Sequence, residues 1–233
     1  MNIDPRFISL LEPLQEGEVY ILFGAARKKY CEAAKTTRGV EFGTFEEVTL
    51  ERLTSTLERV DYTTKRLGFP EEAYVFYMDL NPKSLIKAFR DVMKYGLDAI
   101  AANQLPTLRL VGREWYSCVH RNNSRTLYSL VDVDKKESSL LQEISDILSG
   151  HILYTAETRG GYHIIVKKSK ESGKIIHEQI RKKYPAVDIG VFEKGHPKNK
   201  HLLSEIEPKR QVQTPIPGTI QGGFEVKLHS IGG

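Results

Sequence analysis

Apolar positions along this chain fall into two rhythms, short unbroken runs and recurrences every three or four residues, and each change of rhythm marks an element. Residues 19–24 form an apolar run, Val-Tyr-Ile-Leu-Phe-Gly, that predicts a buried strand, and a basic, helix-like segment follows from Ala25. Over 49–67, Leu50, Leu53, Leu57 and Val60 keep helical spacing, and 73–78 reads as a strand again. Asn81 stands where a helix cap belongs, with Pro82 as the first helical residue and Leu85, Ile86, Phe89, Val92 and Met93 supplying one apolar face. Pro106 and Gly112 punctuate 103–115, which predicts a boundary between an N-terminal α/β unit, 1–112, and a second half, 113–233, the two forming one module.

The second half is more regular. Residues 127–134, Leu-Tyr-Ser-Leu-Val-Asp-Val-Asp, predict a strand that runs into the charged turn Lys135-Lys136-Glu137. In 139–150, Leu140, Leu141, Ile144, Ile147 and Leu148 share one helical face. Ser139 and Gln142 have capping-box spacing, and Gly150 stands at a helix C′ position. Thr158-Arg159-Gly160-Gly161 then leads into a strand at 162–166, a helix at 175–184 is stopped by Pro185, and 186–192 is a short strand. Prolines and glycines at 215–223 fix an irregular turn before a last strand.

These elements carry the candidate chemistry. Residues two apart on a strand share a face, so Asp132 and Asp134 point the same way where their strand ends. Two neighbouring carboxylates repel unless a cation lies between them, and hard divalent ions suit such oxygen donors. An Asp-x-Asp at a strand end is also a common structural cap, and the downstream residues raise the odds of function. The Gly160-Gly161 turn allows a close backbone approach, Arg159 offers a fixed positive charge to phosphate, and His163 lies early in the next strand. Asp188 interrupts an otherwise apolar strand, where an ionised carboxylate is costly unless paired or metal-bound.

Composition narrows the classes. Of 233 residues 40% are hydrophobic, enough for a core, and the formal net charge is +4, a mild excess that many enzymes share. Cations cluster at Arg27-Lys28-Lys29 and between Lys167 and Arg210, as phosphate neutralisation requires. Arg27, Lys28, Lys29, Asn81 and Lys83 are candidates for template contacts, with solvent-facing charge the plainer alternative for each. The two cysteines, Cys31 and Cys118, cannot build a Cys-rich zinc site, so no structural zinc is expected. No apolar run approaches a membrane span and no signal peptide is visible, so no membrane partner is expected and a reducing cytoplasm fits.

The order hydrophobic-Asp132-x-Asp134, Gly161-x-His163, hydrophobic-Asp188, then Pro217-Gly218-Thr219 with trailing glycines resembles the archaeo-eukaryotic primase superfamily. The superfamily includes primase catalytic subunits, primase-polymerases and end-joining repair polymerases. The resemblance spans 127–228. Tyr77 to Ser84 is similar to an Asn-Pro-basic element of some viral and mobile-element members. The resemblance implies an α+β fold, an RRM/ferredoxin-like catalytic core with an additional N-terminal α/β unit. It implies a template-dependent nucleotidyltransferase that makes or extends primers with two Mg²⁺ or Mn²⁺ ions. Asp132, Asp134 and Asp188 would be the metal-binding catalytic triad. Arg159, Gly160, Gly161, His163, Gly218 and Thr219 would hold the nucleotide. The implied partners are single-stranded DNA template and primer, nucleoside triphosphates, and a helicase or accessory primase subunit, in cytoplasm or nucleoid. Two departures stand out: Gly161 replaces a serine frequent in the family, and the cations nearest the proline-containing loop are Lys209 and Arg210 rather than an adjacent arginine.

Rival readings make different demands. A glycosyltransferase also uses Asp-x-Asp, but needs neither the strand histidine nor a third strand aspartate. A strand-nicking initiator needs a His-x-His pair, whereas Ile165 follows His163 by two. A non-catalytic single-stranded-nucleic-acid-binding or replication-initiation module on the same fold, and an end-joining repair polymerase, remain the alternatives.

Overall fold

The computed structural model describes residues 2–27, 29–31, 38–184, 188–189 and 212–231, with the side chains of 38–42, 105, 181, 188–189 and 230–231 left aside. In chain order the first half runs α1 (Pro5–Ile8), β1 (Glu18–Ala26), β2 (Arg38–Phe45), α2 (Leu50–Lys65), β3 (Tyr74–Ser84), α3 (Leu85–Ala101), α4 (Leu105–Leu108) and α5 (Val111–Arg121). Then follow β4 (Tyr128–Val133), α6 (Ser138–Ile147), β5 (Ile152–Glu157), β6 (Tyr162–Lys167), α7 (Lys170–Ile175), a π turn (Ile176–Ile180), α8 (Arg181–Lys183), β7 (Asp188–Ile189), β8 (Gln213–Pro215), β9 (Ile220–Gln221), β10 (Phe224–Glu225) and β11 (Lys227–Ile231). The fold is mixed α+β, and its sheets are antiparallel.

A four-stranded sheet has the order β2-β1-β3-β8, and a five-stranded sheet the order β11-β5-β6-β4-β7. Alternation along β1 explains why its apolar run is unbroken. Tyr20, Leu22 and Ala26 join the large core with Leu53, Leu57 and Val60 of α2, while Val19, Ile21, Phe23 and Ala25 face Ala88, Val92, Cys118 and Val119 of α3 and α5. A strand covered on both faces has no polar side to show. Gly24 and Gly43 let α2 close onto the sheet: a Cβ at either would stand 2.2 Å from Thr64 Oγ1 or 2.4 Å from Thr56 Cγ2. The large core also takes Tyr128, Leu130, Tyr154, Ala156 and Ile165, so the two sheets share it. The opposite face of the second sheet, with Val131, Val133, Ile164 and Val166, packs under Leu141, Ile144 and Leu148 and the π turn's Ile176 and Ile180. Among the described residues no helix is long and apolar enough to cross a membrane.

Several expectations change. The segment from Ala25 is not helical, because β1 keeps pairing with β3 as far as Ala26 opposite Tyr74, and β2 adds to its other edge. β3 runs through Pro82, and α3 starts three residues later than predicted, capped by Ser84, whose side chain accepts from Lys87 N–H at 3.2 Å. The supposed boundary at 103–115 is occupied by α4 and α5, and α5 packs on α3 and β3. The 1–112 and 113–233 halves also interleave, since β8 returns to pair with β3. β5 was not foreseen, and it makes β4 and β6 antiparallel neighbours. At α6, Ser139 and Gln142 form no capping box; the N-cap is Glu137, with no side-chain bond. Of the strand at 186–192, Asp188 and Ile189 are described and pair with β4; the remainder lies outside the described residues.

Candidate active site

The backbone register of three neighbouring strands sets the centre of the site. Asp132 on β4 pairs with His163 on β6 at one side and with Asp188 on β7 at the other. Positions directly opposite in an antiparallel ladder lie on one face. Asp188 is thus placed by register alone, its side chain being outside the description.

Asp132 is half-buried and Asp134, just past the strand's end, is exposed. His163 Nε2 lies 3.3 Å from Asp132 Oδ1, and its Nδ1 lies 3.2 Å from Thr214 Oγ1 on β8. Burial pushes the imidazole pKa down to about 3, and the nearby Lys29 and Arg27 push the same way. The ring is therefore neutral, and its contact with Asp132 is a hydrogen bond rather than an ion pair. The tautomer that satisfies both neighbours has Nε2–H donating to the carboxylate and Nδ1 accepting from the threonine hydroxyl. With both nitrogens engaged, His163 faces protein groups on each side.

The Gly160-Gly161 turn lies against the exit of β4. A Cβ at Gly161 would stand 1.8 Å from the Val133 carbonyl oxygen and 2.7 Å from Lys135 N, while one at Gly160 would meet only Asp134 Oδ1 at 3.8 Å. The glycine at 161 is thus required by the chain's own backbone at this turn. Thr158 closes the turn, its N–H donating to Gly161 O at 2.8 Å and its hydroxyl accepting from Gly161 N–H at 3.2 Å.

Cations and aromatics gather beside the carboxylates. The Arg159 N–H donates to Gln221 Oε1 at 2.9 Å, and its guanidinium lies 4.8 Å from the Tyr30 ring centre. Arg27 donates to the Tyr77 hydroxyl and lies 5.8 Å from the Tyr30 ring, which Lys29 approaches at 5.3 Å. Burial, then Arg27, lowers the Lys29 pKa, against a pull upward from Asp134 and Asp132; the ammonium therefore senses both carboxylates. Gly222, at φ +58°, holds this arrangement from below: a Cβ there would stand 2.5 Å from Arg159 Nη1 and 2.8 Å from Tyr30 Cγ. Burial pushes the Tyr30 phenol up to about 12.

Tyr30, Tyr77, Thr214, Gln221 and Gly222 were missed from sequence. Gln221 and Gly222 lie within the proline-glycine segment 215–223, Thr214 directly precedes it, and Tyr30 directly follows the Arg27-Lys28-Lys29 cluster. An aromatic next to such a cluster is a pattern of single-strand binding surfaces. Tyr77 gave no local sign, because its place depends on how the sheets meet.

Other predicted residues lie elsewhere. Gly218, at φ +89°, packs on the N-terminal segment, where a Cβ would stand 2.0 Å from Asn2 O, and the Thr219 hydroxyl donates to Ile216 O at 2.7 Å. Their segment reaches the cluster through Thr214, Gln221 and Gly222 instead. Asn81 and Lys83 are fully enclosed and cannot touch a template. Asn81 Oδ1 accepts from Leu127 N–H at 2.7 Å and Tyr128 N–H at 3.1 Å, fastening β3 to the start of β4. Lys83 Nζ pairs with Asp79 at 2.6 Å and also reaches Asn123. Lys28, Lys209 and Arg210 lie outside the described residues.

Among the described side chains no three His, Cys, Asp or Glu groups come together as a metal-holding set. Asp132 and Asp134 nevertheless offer hard oxygen donors, and the register sets Asp188 opposite the first of them. That donor chemistry fits Mg²⁺ or Mn²⁺ and is unlike a zinc or copper site. Compared with family models, curated proteins and solved structures, the chain matches none.

Proposed function

We propose that this chain is a divalent-metal-dependent nucleotidyltransferase of the primase-polymerase type, joining nucleoside triphosphates on a single-stranded DNA template. The observation that carries the reading is the register aligning Asp188, Asp132 and His163 across three strands, with Asp134 two residues beyond Asp132. Connectivity supports it. The succession β4, α6, β5, β6, helical segment, β7, with strand order β5-β6-β4-β7, has the split-βαβ plan of ferredoxin-like and RRM-like cores.

A divalent ion held by Asp132, Asp134 and Asp188 would neutralise triphosphate charge and favour ionisation of an attacking hydroxyl. The chain's own groups do the rest by position. The neutral His163 donates to Asp132, which fixes that carboxylate's direction. Arg159, Arg27 and Lys29 draw the triphosphate to the cluster, and Tyr30 and Gln221 keep Arg159 in place. Phosphoryl transfer asks mainly for such alignment and electrostatic support.

The test is incorporation of labelled nucleotide on a defined template, with and without primer, with NTPs or dNTPs, and with Mg²⁺ or Mn²⁺. Metal-dependent incorporation is expected, and Asp132→Asn or Asp134→Asn should reduce it by at least about a hundredfold while circular dichroism stays unchanged. Template binding without incorporation by the unaltered chain would make it a binding module.

A further inference from the structure

The face of α3 turned away from its sheet carries a row of large apolar side chains that nothing among the described residues covers. Ala88 and Val92 are buried against β1 and α5 and Ala99 is buried too, while Ile86, Phe89, Met93, Leu97 and Ile100 are 49–74% exposed. Sequence periodicity had assigned Ile86, Phe89 and Met93 to the buried face. Leu110 and Tyr116, on the α4–α5 segment packed beside α3, are exposed as well. Together they offer apolar surface on the order of the 800 Å² that each partner gives to a standard interface.

Spacing and charge limit what could cover this row. The five residues follow one another by three, four, four and three positions. That is the narrow seam of a helix-to-helix contact, thinner than the broad apolar face with which a helix lies in a membrane surface. The exposed Arg90 and Lys94 border the seam on one flank, and neither has an acidic partner among the described residues. Asp91, next to Arg90 and three residues before Lys94, is turned to Asn122, whose Nδ2 donates to it at 2.7 Å. A second copy, packed antiparallel about Met93, would set this basic flank against itself.

We infer that α3 is a docking surface for an amphipathic helix of another protein, one with leucine-like residues along its seam and acidic residues on the flank that meets Arg90 and Lys94. The partner's apolar residues would interdigitate with Ile86, Phe89, Met93, Leu97 and Ile100, and its carboxylates would set direction and register.

The probe is a fluorescent three-heptad synthetic helix with Leu at its a and d positions and Glu at e and g, titrated into the whole chain and read by anisotropy. A second peptide carries Lys in place of Glu. Saturable binding of the Glu peptide is expected, weakened at least about tenfold by Phe89→Glu or Leu97→Glu, two exposed positions where the fold should persist. Arg90→Glu combined with Lys94→Glu should reverse the preference between peptides. Equal binding of the two peptides, or binding of neither, overturns the inference. So does a dimer in sedimentation that Phe89→Glu dissolves, which would make a second copy the occupant. Pelleting with phosphatidylcholine–phosphatidylserine vesicles through the same residues would overturn it in favour of a membrane.

Discussion

At the residue scale, His163 shows how burial sets chemistry. Its ring is closed in between Asp132 and Thr214 and stays neutral because burial disfavours the charged form, with Lys29 and Arg27 adding to the effect. The consequence for stability has a definite sign. The unfolded chain takes up a proton near pH 6.5 and the folded chain only near 3, so stability is complete above 6.5 and falls as pH drops between those values. A loss on the order of 2 kcal/mol between pH 6.5 and 5 is expected from this group, and denaturant titrations of His163→Asn should show a shallower pH dependence. Equal slopes for the two proteins would mean that His163 is not buried neutral. The same scale marks what sequence could supply. The strands carrying Asp132 and His163 were legible as apolar runs, but their direct pairing across the ladder was not. Lys83 was misread because charge at a basic motif looks solvent-bound until its buried partner Asp79 is seen.

At the element scale, the hairpin β9–β10 acts as a rest for Arg159. Gln221 takes the Arg159 N–H, and Gly222 meets the guanidinium and the Tyr30 ring with no room for a Cβ. Gly222 also has positive φ, so Gly222→Ala pays backbone strain as well as a clash. That variant should raise the KM for nucleotide by roughly tenfold, with a smaller change in kcat and little change in template affinity. A variant with unaltered KM would detach the hairpin from the nucleotide. Elements were legible where an apolar run had clear limits, as in β1, β4 and β6. β5 was hidden behind the glycine turn after α6, and its first residues, Ile152 and Leu153, are only half-buried. The direction of α3 was misjudged for a different reason. Its apolar residues cover more than half the helix circumference, so periodicity could not tell which part meets the sheet.

At the scale of the molecule, the two halves do not part at residue 112. α5 packs under the first sheet, β8 adds to that sheet from the far end of the chain, and both sheets share one core. Arg125, in the link between halves, binds Glu18 at the start of β1 at 2.8 Å, and although burial opposes it, that contact holds the Glu18 carboxyl down at about 2. Unfolding should therefore be a single transition. The fluorescence of the sole tryptophan, Trp115 in α5, and far-UV circular dichroism should give coincident denaturant curves. Two separated midpoints would show that the halves fold independently. This interleaving could not be read from sequence, because nothing local in Gln213-Thr214-Pro215 names β3 as its partner.

The return of β8 also fixes a temporal order. A ribosome delivers Arg27 and Lys29 first, Asp132 and His163 much later, and Thr214, Gln221 and Gly222 last among the members of the cluster. Until β8 docks, His163 has no Thr214 beside it. Docking of β8 brings Thr214 to His163, and the hairpin that follows brings Gln221 to Arg159. A nascent chain thus holds Asp132 and Asp134 long before the strand and hairpin that close the cluster around them exist.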